Sequence, residues 1–184
     1  MPGTTPRGYP YPTYGDATAF ATQIQSLATA IDTDIDSLWD RVAAGGNQPA
    51  CVVESVGVNQ SVANNTDVTA TYATEVYDNA SMFTIGTSTT NVNIVSTGIY
   101  VAMARVSWAA AAAAGGRQIS VNSSTTGVVA RRTISVQTVA ASMSMVHVFF
   151  ATSGSVITMI QRQNSGGAIN SDTRRLAVAR LGGI

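Results

Sequence analysis

The sequence predicts an all-β sandwich of many short strands, preceded by an extended arm and one amphipathic helix. Three observations lead there. From residue 50 onward, apolar residues alternate in short runs broken by Gly, Asn, Ser and Thr, the pattern of half-buried strands joined by polar turns. Before that lies a single stretch whose apolar residues recur at helical spacing. The first fifteen residues show neither period and hold Pro2, Pro6, Pro10 and Pro12.

Residues 1–15 read as a docking arm. Proline restricts itself and its predecessor to extended backbone, so a packed element is not expected. Tyr9, Tyr11 and Tyr14 stand among Pro10 and Pro12, and these five residues are the candidate contacts to a larger particle. A merely solvating tail has little use for aromatic anchors.

Residues 16–48 read as a stalk and linker, helical over 16–44. Asp16 is placed to cap the start, and Gly45-Gly46 followed by Pro49 end it. Phe20, Ile24, Leu27, Ile31, Ile35, Leu38 and Val42 follow one another at steps of three or four and form one narrow stripe. Positions 20, 31 and 42 repeat at eleven residues, the spacing of a straight or slightly right-handed bundle. Such a helix is about 42 Å long at 1.5 Å per residue. A narrow stripe on a long helix suits a parallel, self-associating stalk. "DTDIDSLWD" does not fit a calcium loop, because the required Gly and Glu positions hold Ser37 and Ala43. Asp32, Asp36 and Asp40 form a solvated acidic line instead.

Residues 49–184 read as the head, with strands at 50–58, 67–76, 81–86, 91–96, 98–108, 117–122, 133–138, 142–151, 155–163 and 174–182. Strand 98–108 is the clearest: Tyr100, Ala102, Ala104, Val106 and Trp108 share one face. The six alanines at 109–114 have high helix propensity, but six residues do not meet the cost of helix nucleation. They read as the end of that strand and a loop, with "GGRQISV" opening the next strand. "MSMVHVFF" is apolar on both faces, which suits one face in a core and the other at an interface.

Composition excludes several chemistries. All 10 basic residues are Arg, balanced by 10 acids, and the chain has one His and a single Cys, Cys51. Without Lys there is no P-loop or Schiff base, and one Cys with one His builds no zinc site. His147 lies in an apolar run rather than a triad context. A polysaccharide-cleaving enzyme needs paired carboxylates in a cleft. The head offers only Glu54, Asp67, Glu75, Asp78 and Asp172, in turn or strand-edge contexts. No cofactor and no metal are expected. The N-terminus has no apolar signal-peptide core, and no run is long enough to span a bilayer. Residues 1–48 carry five Asp against two Arg, and the head carries five acids against eight Arg. Arg131-Arg132 and Arg174-Arg175 lack the stacking platform of a nucleic-acid site.

"EVYDNASMF", "STGIYVAMARVSW", the "GGRQISVN" hairpin, "GSVITMIQRQNSGGA" and "LAVARLGG" stand in an order that resembles the tumour-necrosis-factor/complement-globular-head (TNF-like) jelly roll. The resemblance covers about 120 residues and is nearest to the versions on bacteriophage and bacterial fibres. "RGYPYPTYGDATAFATQIQSLATAIDTDID" is similar to the starts of tail proteins of phages infecting actinobacteria. The resemblance implies a ten-strand, two-sheet sandwich that trimerises about a threefold axis, with Met143, Met145, His147 and Phe149 assigned to that axis. The jelly roll by itself implies no single function; with the tail-protein-like N-terminus, the expectation is a non-enzymatic virion protein, assembled in the host cytoplasm and attached through its N-terminal arm to other capsid or tail proteins. The head then contacts the host surface, a cell-surface glycan being the candidate partner, or is an inert capsid decoration (head fibre). Tail and capsid locations stay open at this point. No nucleic acid or membrane partner is expected.

Overall fold

The computed structural model describes residues 48–183 except Ser88 and Gln137, together with Gly3–Thr4, Pro10–Tyr11 and Ala30. The chain divides into two compact units, Met1–Asn47 and Gln48–Ile184. In the first, Gly3–Thr4 (β1) and Pro10–Tyr11 (β2) pair antiparallel, Gly3 opposite Tyr11 and Thr4 opposite Pro10. Ala30 is helical. The rest of the expected helix, with Phe20, Ile24, Leu27, Ile31, Ile35, Leu38 and Val42, lies outside the described residues, as do Tyr9, Pro12 and Tyr14.

The second unit is all-β, ten strands in two antiparallel sheets. The strands are β3 (Ala50–Val62), β4 (Val68–Thr69), β5 (Thr74–Asp78), β6 (Val92–Asn93), β7 (Gly98–Trp108), β8 (Gly115–Ser123), β9 (Gly127–Val136), β10 (Ala141–Ala151), β11 (Val156–Gln163) and β12 (Ile169–Gly182). One sheet has the order β10-β7-β12-β3-β5; the other runs β4-β11-β8-β9, with β6 also paired to β11. The long-range pairings of β3 with β12 and of β12 with β7 put the last strand at the centre of the first sheet.

The core lies between the sheets. Period-2 burial along β7 hides Tyr100, Ala102, Ala104, Val106 and Trp108, one of the two faces that alternation separates. From β12 come Leu176 and Val178, from β3 Cys51 and Val53, and from the second sheet Ile119, Val121, Ile157 and Met159. Tyr72 and Phe83 meet edge to face at 6.2 Å.

Four predicted elements differ. The run 67–76 splits into β4 and β5, because residues 70–73 leave the ladder to bury Ala70 and Tyr72. Residues 81–86 form no strand. Met82 and Phe83 reach the core from a loop whose shape is set by Asp78, its carboxylate accepting the N–H of Ala80 at 3.0 Å and of Phe83 at 2.8 Å. Run 91–96 pairs only at Val92–Asn93. Run 133–138 becomes β9 from Gly127, since it closes a hairpin on β8 whose turn uses Gly127 at φ +74°.

The six alanines belong wholly to a loop. β7 stops at Trp108, where its partner β10 begins at Ala141, so beyond it the alanines have no partner on the β10 side. Ala109 N–H donates to Asn170 C=O at 2.9 Å, and Ala111 is buried. The strand resumes at Gly115, where a Cβ would stand 2.8 Å from the backbone of Asn164 and Ser165. Glycine is the side chain that this approach admits.

Candidate association face

The first sheet has two faces, and only one is covered by the second sheet. Antiparallel register lines the outward residues up in rows. One row reads Val148, Val101, Ala179, Ala50 across β10, β7, β12 and β3. The next reads Val146, Met103, Ala177, Val52, Tyr77 and crosses all five strands, about 19 Å at the usual strand spacing. Phe150 and Ile99 extend it on one side. Val146 is 61% exposed, Met103 54%, Val148 53% and Tyr77 51%. A contiguous apolar surface of this kind is rare on a monomer and marks an interaction site. Its border is polar: Ser144, Arg105, Arg175, Glu54 and Thr74 form the adjoining row, with Arg175 and Glu54 paired at 3.5 Å.

The described residues show no catalytic constellation. The head acids are engaged singly rather than paired in a cleft: Glu54 pairs with Arg175, Asp67 with Arg162 at 3.3 Å, and Asp78 holds backbone N–H groups. No group of three His, Cys, Asp or Glu among the described residues is placed to hold a metal ion. Burial, with Asp78 and Glu75 adding to it, pushes the Cys51 thiol up to about 12, so it stays protonated and unreactive at neutral pH. No helix of the described residues is long and apolar enough to cross a membrane.

No protein-family model matches the chain. No curated protein matches its sequence. Among solved structures it is similar to murine APRIL, with a TM-score of 0.51 at 17% identity over 72% of this chain and 99% of that one. The fold is a TNF-like jelly roll. Also similar are the Eiger TNF of S. frugiperda, with a TM-score of 0.49 at 12% identity over 74% and 96% of the two chains, and the globular domain of a zebrafish complement 1qA protein, with 0.48 at 14% over 73% and 97%.

Within this TNF-like head, the residues assigned from sequence to the threefold axis lie on the inward side of β10. Met143 and Phe149 are buried in the core of a single chain, Phe149 stacking obliquely on Tyr100 at 6.3 Å. Met145 is half-buried and packs against the same core, and His147 is exposed where the two sheets part. The outward face of β10 is therefore the even-numbered one, Val146, Val148 and Phe150. The sequence left open which face of 142–151 turns outward, because both faces of "MSMVHVFF" are apolar. The available signal was the pairing partner: β7 buries even-numbered residues, and its register sets Tyr100 beside Phe149 and Val106 beside Met143. Of the arm residues, Pro10 and Tyr11 are placed in β2, with their backbones paired to Thr4 and Gly3.

Proposed function

We propose that the chain is a non-enzymatic structural subunit of a bacteriophage virion, a homotrimeric fibre or spike. Its jelly-roll head associates through the outward face of β10-β7-β12-β3-β5, and its N-terminal arm attaches it to the particle. The observation that carries the self-association is the apolar row Val146, Met103, Ala177, Val52, Tyr77. Burying a Val or Met side chain is worth about 1.5–3 kcal/mol, so covering that row gives an associated state a clear advantage over a solvated monomer. Threefold symmetry and the virion context rest on the sequence resemblance to fibre heads and to tail-protein N-termini.

Light scattering on the full chain at micromolar concentration is expected to give three times the chain mass. Met103→Asp sets a carboxylate in the middle of the apolar row and is expected to shift the mass to that of one chain while the β-sheet circular dichroism persists. A wild-type monomer would sink the reading.

Attachment is tested separately. Pro10 and Tyr11 have their backbones paired to Thr4 and Gly3 within the arm, so contact with the particle falls to the rings of Tyr9, Tyr11 and Tyr14, which can bury large area at low entropy. Deleting residues 2–14 is expected to leave a folded oligomer that no longer enters particles. Incorporation at wild-type occupancy would place attachment in another part of the chain.

A further inference from the structure

The two edges of the first sheet differ in charge. At one end β10 meets β9, the edge strand of the second sheet, and between them opens a cleft of about 460 Å³ lined by Ala130, Arg131, Arg132, Met145, Val146 and His147. Arg132 turns inward beside Ile119 and spans the gap, donating to the Ser144 carbonyl. On the far side of β10 a second hollow of about 290 Å³ shares Arg132 and adds Arg105. Arg105, Arg131 and Arg132 are exposed, and none has a carboxylate partner among the described residues. Three guanidinium groups thus crowd one edge with no counter-charge among the described residues.

The opposite edge is β5, beside β3, and it holds three of the head's five acids. Glu75 is exposed on β5, Asp78 ends that strand, and Glu54 stands on β3 opposite Thr74. Arg175 offsets one of these charges, leaving a net acidic edge. Between the two edges runs the apolar face, and Val146 belongs to both that face and the basic cleft. The charged edges therefore adjoin the face that association would cover.

We infer that the head associates heterologously, the basic β9/β10 edge of one copy receiving the acidic β3/β5 edge of the next. This inference rests on the self-association reading and adds its orientation. A contact between two different patches of the same chain closes into a ring when the rotation allows. Opposite charge at the two rims fixes which edges meet and penalises the arrangement that sets like edges together. Both rims are exposed in the single chain, so the attraction is screened by salt.

Two reversed chains and their combination test this. One carries Arg131→Glu and Arg132→Glu, the second Glu54→Arg and Glu75→Arg, and the third all four. Dissociation is followed by sedimentation at about 50 mM and 500 mM salt, with thermal unfolding to verify the fold. Each reversed chain is expected to have a dissociation constant at least ten-fold higher than wild type at low salt. The four-fold chain recovers most of that loss, and high salt narrows the differences. Arg131→Glu and Glu75→Arg alone alter exposed side chains and serve if a double variant misfolds. Unchanged dissociation of the reversed chains, or a four-fold chain weaker than both, overturns the edge pairing. A wild-type monomer instead overturns self-association itself, so the two failures are distinguishable.

Discussion

Arg174→Met is expected to lower the stability of the head by about 3–5 kcal/mol, the range for removing a buried charged group on which other polar groups depend. Arg174 lies fully buried on β12, on the inward side of a bulge in β3. There the register passes from Ser171 opposite Gln60 to Thr173 opposite Val56, so residues 57–59 of β3 have no ladder partners and Gly57 takes φ +70°. The guanidinium closes this gap. Nη1 donates to Val58 C=O at 2.8 Å and Ser171 C=O at 2.7 Å, and Nε to Thr71 C=O at 3.1 Å. Methionine fills similar volume but donates nothing, and each buried carbonyl left without a donor costs about 1–3 kcal/mol. Chemical denaturation read by tryptophan fluorescence measures the change. A loss below 1 kcal/mol would mean that the bulge carbonyls find other donors.

Arg117→Met is expected to act in the opposite direction, raising stability by about 1–3 kcal/mol, in the range seen when buried charges are replaced by apolar residues. Arg117 is as buried as Arg174, yet Nε, Nη1 and Nη2 have no acceptor among the described residues, and burial pulls its pKa down. Its one favourable contact is with Trp108, the guanidinium carbon standing 5.9 Å from the ring centroid. Cation–π attraction returns about 0.5–2 kcal/mol, less than an uncompensated buried charge loses. Methionine keeps contact with the ring through its sulfur and sheds the charge. Arg117→Lys keeps the charge and is expected to show no gain. The same denaturation experiment decides, and a methionine variant less stable than wild type would falsify the claim that this charge is uncompensated.

The two arginines show why composition does not rank such sites. "RRT" at 131–133 and "RRL" at 174–176 look alike in sequence, yet Arg131 and Arg132 edge an open cleft while Arg174 is sealed in the core. Nothing local to Arg117 in "GGRQISV" separates it from a solvent-facing residue on an alternating strand. Its burial follows from the phase that β8 takes between β9 and β11.

By itself the sequence determined the fold class, the order of most strands and the two faces of β7. Those depend on alternation, and alternation is local wherever one face is plainly more apolar than the other: Tyr100, Ala102, Ala104, Val106 and Trp108 stand against a face broken by Arg105 and Ser107. Only the tertiary structure decided the phase of β10, the division of 67–76 and the opposed charges of the two sheet edges. In each case the deciding contact comes from far along the chain. β7 orients Met143 and Phe149 inward, and the core's need for Tyr72 draws residues 70–73 out of the ladder. Side-chain period names two faces of a strand. Which face is buried, and where pairing stops, depends on the hydrogen-bonding partner that folding brings beside it.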